Sequence, residues 1–192
     1  MRFRWMRLFV PRYRVASIAQ IPRAWIEGYR CIVVDVDNTL AVPETTAIPE
    51  EVRAWIHAVQ QTHRVVCVSN SMSMQKRQQA LERMLGCSVL VGAGRKPFRR
   101  IWGVLENTYG VTPATTVVIG DRIFPDVLFG NRVGALTVLV EPFSTHESLW
   151  IQLLRRGERW FLKKVSPADR AAGHGSSAVD TPFRSAREKN TG

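Results

Sequence analysis

A three-layer α/β/α sandwich, built on a mainly parallel sheet of five strands, is the fold that this sequence of 192 residues predicts. Short β-branched runs alternate with amphipathic windows of roughly ten to thirteen residues, the pattern of parallel strands joined by helical crossovers. The runs are apolar at nearly every position, as strands covered on both faces must be. A content of 45% hydrophobic and 22% charged residues is ordinary for a globular chain, and the length suits one well-buried domain.

In chain order, residues 1–27 form a basic, aromatic segment ahead of a domain spanning 28–165, and residues 166–192 close the chain as a tail. CIVVDV (31–36) is the first strand. Pro49, Glu50 and Glu51 open a helix with acids at the positive end of its dipole. Val52, Trp55, Ile56 and Val59 give that helix one apolar stripe. RVVCV (64–68) is the second strand, SNSMS its exit loop, and Met74 to Leu85 a helix ended by Gly86. CSVLV (87–91) is the third strand, and Pro97 opens a helix whose stripe is Phe98, Ile101, Trp102 and Leu105. TTVVIG (115–120) and ALTVLV (135–140) are the fourth and fifth strands. Ser144 and Glu147 form a capping box for a last helix through Leu154. The tail lacks an apolar stripe and cannot bury enough surface to offset its ordering entropy, so disorder is expected there.

Lysine and arginine number 27 against 16 acids, a formal net charge of +11. Seven arginines and one acid fall within residues 1–30, six bases and three acids within 163–192, and the body between is nearly neutral. Such an excess favours anionic partners: phosphate esters, nucleic acid or an acidic membrane surface. Cys31, Cys67 and Cys87 stand in apolar contexts without CxxC spacing, and the four His show no ligand spacing. Neither a disulfide scaffold nor a structural zinc site is expected. Arginine interrupts MRFRWMRLFVPRYR every few positions. No apolar run therefore reaches the roughly 20 residues a bilayer span needs, and no export signal is expected. The expected location is cytoplasmic, with peripheral attachment to the inner face of the cell membrane.

Ligands of parallel α/β sheets collect at the carboxyl ends of the strands. Asp35 and Asp37 leave the first strand two residues apart and share a side if the chain stays extended. Two such carboxylates repel unless a cation or a shared proton relieves them, and Mg²⁺ takes oxygen ligands readily. Ser69 and Asn70 follow the second strand, Lys96 the third, and Asp121 and Asp126 the fourth. Alone, the paired acids mark either a metal or phosphate site or a solvated strand end. Acid, hydroxyl, lysine and acid at four successive strand exits favour the site.

DVDNTL resembles the DxDx(T/V) signature of the haloacid dehalogenase (HAD) superfamily, and VCVSN, Gly94-Arg95-Lys96-Pro97 and VVIGDRIFPDV resemble its second, third and fourth motifs. From about Pro11 to Pro142 the chain is similar to the capless subfamily IIIA, which includes the bacterial YqeG-like proteins and the mitochondrial phosphatidylglycerophosphatases. The resemblance implies a Rossmann-like HAD fold without a large cap, and a Mg²⁺-dependent phosphomonoester hydrolase. It implies that Asp35 is the nucleophile, forming an aspartyl-phosphate, while Asp37 protonates the leaving alcohol and then deprotonates water. Ser69, Asn70 and Lys96 would hold phosphoryl oxygens. Asp35, Asp121 and the backbone carbonyl of Asp37 would bind Mg²⁺, with Asp126 supporting that site or reaching it through water. Pro125 departs from the pattern, which usually has Thr or Ser before the second aspartate; proline offers the loop no N–H.

Asp35 and Ser69 are 34 residues apart and Lys96 and Asp121 are 25 apart, room for a crossover helix but not for an inserted cap. An open site suits a large or surface-borne substrate, and the subgroup resemblance makes phosphatidylglycerophosphate the expected one. Trp5, Leu8 and Phe9, interleaved with Arg4, Arg7 and Arg12, then lie either at the headgroups of an anionic membrane or against the sheet edge. Two other readings stand beside this one. The first is a HAD phosphatase acting on a soluble or nucleotide phosphate. The second is a non-catalytic RNA- or ribosome-binding protein, drawn to phosphate backbones by its charge but opposed by the paired acids.

Overall fold

Parallel strands in the order β1-β6-β5-β2-β3-β4 form the sheet of the computed structural model, which describes residues 5–92 and 94–143. The strands are β1 (Tyr13–Val15), β2 (Cys31–Val34), β3 (Arg64–Ser69), β4 (Ser88–Val91), β5 (Thr116–Gly120) and β6 (Leu136–Val140). The helices are α1 (Arg23–Ile26), α2 (Glu50–Gln60), α3 (Gln78–Leu85), α4 (Arg100–Tyr109) and α5 (Leu128–Val133).

Side chains alternate across the sheet and so divide the core in two. Ile32, Val34, Val65, Cys67, Val117 and Ile119 face Val52, Ile56 and Val59 of α2 and Leu81 and Leu85 of α3. Cys31, Val33, Val66, Val68 and Val118 face Ile101, Trp102 and Leu105 of α4 and Phe129 of α5. The chain runs outward from β2 to β3 and β4, then returns to lay β5 and β6 on the other side of β2, where β6 pairs with β1 from the start of the chain. The reversal places the exits of β2 and β5 side by side, the position where open α/β sheets bind ligands.

All five predicted strands form, and the sheet gains a sixth that the sequence reading did not include. β1 comes from within residues 1–27, with Tyr13, Arg14 and Val15 in register with Val138, Leu139 and Val140. Three residues carry too little period to be read as a strand; the open edge of β6 supplies the partner. Tyr13 also stacks on Trp25, ring centroids 4.1 Å apart. Ile18, Ile21 and Ile26 of the same segment enter the core. Phe9 packs on Ile123, Val127 and Leu139, and the Asn131 amide donates to the carbonyls of Leu8 and Val10, each at 2.9 Å.

Two predicted helices differ. The Met74–Leu85 window is a 3₁₀ turn over Met72–Lys76 followed by α3, broken at Arg77, whose side chain turns inward. Gly86 ends α3 in the left-handed region, as its lack of a Cβ allows. Pro97 does not open α4. Phe98 N donates to Arg95 O in a separate turn, the helix starts at Arg100, and Phe98 stands exposed while Ile101, Trp102 and Leu105 form the stripe. The predicted helix from Ser144 to Leu154 and the tail of 166–192 lie outside the described residues. Among the described residues no inserted cap interrupts the sheet, and no helix is long and apolar enough to cross a membrane.

Candidate active site

Asp35 is the first residue beyond β2, still on the ladder through its N–H to Ile119 O at 2.9 Å. The chain then coils: Val36 O accepts from the N–H groups of Thr39, Leu40 and Ala41, and Asn38 adopts a left-handed φ of 66°. The extended run needed to hold Asp35 and Asp37 on one side therefore ends between them. The Asp37 carboxylate instead accepts from Arg77 Nη2 at 2.8 Å and from Glu44 N at 3.3 Å. Arg77 also donates through Nη1 to Thr45 O at 2.5 Å, tying the 42–47 loop to the same guanidinium.

Lys96 reaches the site from the loop after β4. Asn70, at the exit of β3, grips its backbone from both sides: Lys96 N donates to Asn70 Oδ1 at 2.8 Å, and Asn70 Nδ2 donates to Lys96 O at 3.0 Å. The buried ammonium, only 4% exposed, then donates to Asp35 Oδ1 at 2.5 Å and to Asp126 Oδ1 at 2.6 Å. Ser69 is buried at the end of β3, where its hydroxyl accepts from Ser71 N at 3.0 Å.

The fourth exit supplies two acids. After Gly120 and Asp121 the chain winds as a π-helix over Ile123–Val127, with Val127 N bonded to Arg122 O. Such wide turns recur at functional sites. The winding turns Asp126 back over β5, so that a Cβ at Gly120 would collide with its carboxyl group. Only glycine admits that approach. Asp126 Oδ2 accepts from Arg122 N at 3.2 Å, and Thr39 Oγ1 donates to Asp121 Oδ1 at 3.5 Å. Pro125 falls in the first turn of this element, where backbone N–H groups have no helical partner, so its missing N–H forfeits no bond of the winding.

Carboxylate oxygens of Asp35, Asp121 and Asp126 lie within 4.8 Å of one another. Burial holds the Asp35 carboxyl well above the usual carboxylate range; Lys96 opposes this, and Asp126 and Asp121 add to it as like charges. Burial alone would lower the Lys96 ammonium, but Asp126 and Asp35 more than reverse that and raise it. Three carboxyl groups clustered beside one ammonium crowd like charge together, which a divalent cation would relieve. Three hard oxygen donors within a few ångströms suit Mg²⁺. The residues present therefore fit the metal.

The predicted residues divide accordingly. Asp35, Lys96, Asp121 and Asp126 converge, with Asn70 placing the lysine and Ser69 at the neighbouring exit. The Asp37 carboxylate is not part of that cluster of three and is bonded to Arg77. Arg77 went unnoticed in the sequence, although a signal was there: it is three residues after Met74 and four before Leu81, on the stripe where an apolar residue belongs.

The family model described as mitochondrial PGP phosphatase matches residues 3–143. Phosphatidylglycerophosphate phosphatase 1, chloroplastic/mitochondrial, of Arabidopsis thaliana is 34% identical over 157 residues, covering 74% of this chain and 45% of that protein. Phosphatidylglycerophosphate phosphatase 1, chloroplastic, of Chlamydomonas reinhardtii is 32% identical over 164 residues, or 80% and 61% respectively. YqeG of Bacillus subtilis is 28% identical over 161 residues, or 83% and 92%. The chain thus spans about half the length of the first two relatives and nearly all of YqeG. A solved HAD-hydrolase from Bacillus subtilis, bound to magnesium, gives a TM-score of 0.49 at 14% identity, covering 65% of this chain and 92% of that one.

Proposed function

This chain belongs to the mitochondrial PGP phosphatase family, a HAD-type group, and from that premise we propose that it hydrolyses a phosphate monoester through Asp35. The observation that carries the reading is the clustering of the Asp35, Asp121 and Asp126 carboxylates, with Lys96 bonded to Asp35 and Asp126, at the switch point of a parallel sheet. The Asp35 carboxylate attacks phosphorus, forming an aspartyl-phosphate as the ester P–O bond breaks. Asp37 gives its proton to the departing alkoxide, for which its carboxyl exchanges the Arg77 contact for the ester oxygen. In the second step Asp37 takes a proton from water, the water oxygen bonds to phosphorus, and Asp35 and inorganic phosphate are released.

Lys96 offsets the charge that gathers on the phosphoryl oxygens, which a dianionic ester attacked by a carboxylate requires. Mg²⁺, held by Asp35, Asp121, Asp126 and the backbone carbonyl of Asp37, would neutralise phosphoryl charge when bound. Ser69 supplies a hydroxyl to a phosphoryl oxygen, and Asn70 keeps Lys96 in place.

We infer that the ester is phosphatidylglycerophosphate, and that the enzyme works on an anionic membrane as a peripheral protein. The names of the two relatives above and the open, capless site support this substrate. With Mg²⁺ the protein should release phosphate from an aryl phosphate and lose that activity to EDTA. An Asp35→Asn form as active as the parent would remove the nucleophile assignment. Rates on phosphatidylglycerophosphate vesicles, nucleoside monophosphates and nucleic-acid terminal phosphates then separate the substrates; preference for either of the last two would overturn the lipid reading.

A further inference from the structure

We propose that the rim of this site, formed by the loops leaving the carboxyl edge of the sheet, is the face that docks on an anionic lipid surface; this rests on the lipid-phosphate reading above. Because all the strands are parallel, their exit loops gather at one edge. Among the described residues the exposed large apolar side chains are Trp5, Val42, Met72, Met84, Phe98 and Phe124. Four of them stand one to a loop: Val42 after β2, Met72 after β3, Phe98 after β4 and Phe124 after β5. Trp5 joins them through an edge-to-face chain, meeting Phe9 at 6.0 Å, and Phe9 meets Phe124 at 5.3 Å. Met84, on α3, is the exception.

The exposures are large: 79% for Met72, 63% for Phe98, 57% for Trp5 and 46% for Phe124. Apolar groups concentrated at one edge mark an interaction surface rather than ordinary scatter. The same loops carry exposed bases, Lys76, Arg95 and Arg99, while Glu44 is the exposed acid of the four. Apolar tips among cations suit a surface with an anionic headgroup layer over hydrocarbon, where tips insert and cations stay at headgroup depth. A second copy fits less well, because it would set one basic rim against another. The placement also serves the chemistry. Asp35 and Lys96 lie beneath these loops, so a phosphate displayed on the surface reaches them without its lipid leaving the bilayer.

The test uses the full chain, a Met72→Ser, Phe98→Ser double variant, and sedimentation with vesicles of phosphatidylcholine alone or mixed with phosphatidylglycerol. The parent should pellet with the mixed vesicles and be released by salt in part, since screening weakens the charge attraction but not insertion. Loss of two inserted side chains should lower partitioning by roughly tenfold or more, with p-nitrophenyl phosphate turnover unchanged. A double variant that pellets like its parent would overturn the proposal. So would a parent that is dimeric without lipid and whose variant is monomeric, which would assign the rim to a second copy. Binding is read without turnover, so the two readings fail separately. A parent that docks through the rim yet ignores phosphatidylglycerophosphate loses the substrate reading alone. Equal rates of parent and variant on vesicle-borne phosphatidylglycerophosphate remove the docking face alone.

Discussion

Replacing Lys96 by Met removes the cation that bridges the buried Asp126 carboxylate and the partly buried Asp35 carboxylate while leaving the apolar stem in place. Its ammonium is bonded to Asp35 at 2.5 Å and Asp126 at 2.6 Å in a position only 4% exposed. Deleting one partner of a buried ion pair strands the other charge, at a cost of about 3–5 kcal/mol. For a chain of this size each kcal/mol lowers the midpoint by roughly 2–4 °C, so the variant should melt about 6–20 °C below the parent. The assay is thermal and urea unfolding in EDTA, which keeps divalent cations away from the carboxylates. Adding Mg²⁺ should raise both midpoints, because a cation bound only by the folded state stabilises it by mass action. A double-mutant cycle sharpens the test. Asp35→Asn removes one of the stranded charges, so the Asp35→Asn, Lys96→Met form should be more stable than Lys96→Met alone, with a coupling of about 1 kcal/mol or more. A Lys96→Met variant within about 1 kcal/mol of its parent in EDTA, or additive single effects, would refute the view of Lys96 as the buried counter-charge.

Three further outcomes follow from single contacts. Gly120→Ala should abolish phosphate release while the protein stays folded by circular dichroism, because its Cβ would displace the Asp126 carboxyl group. Asn131→Ala removes the amide that holds the Leu8 and Val10 carbonyls and should cost about 1–3 kcal/mol in urea unfolding; limited proteolysis should then cut near residues 5–10 first. Burial pushes the Cys31 thiol up to about 11, with Arg64 opposing. A maleimide at pH 8 should therefore spare Cys31 until the chain unfolds. Its raised value also means that its contribution to stability is present below the ordinary thiol pKa and lost as pH rises through about 11, which pH-dependent melts of Cys31→Ala against the parent would register.

Strands and their exits were legible because both depend on neighbours in the chain. An apolar run such as RVVCV has one way to be covered on both faces, and the residue that follows it must emerge at the sheet edge. Asp35, Ser69, Lys96 and Asp121 were found in this way, from position relative to a run and residue type.

What the sequence by itself determined is thus the parallel α/β plan and the inventory of groups at its carboxyl edge. The tertiary structure decided which of those groups meet. Asp35 and Asp37 are two residues apart, yet the coil after Val36 sends one to Lys96 and the other to Arg77, 40 residues further on. Arg77 breaks an apolar stripe, but nothing local names Asp37 as the partner it anchors, and β1 exists because β6, more than 120 residues away, offers it an edge. The physical reason is common to all three. A periodic pattern records how a segment faces its immediate surroundings, whereas a buried charge or an edge strand is stable only when a partner distant in the chain arrives to satisfy it.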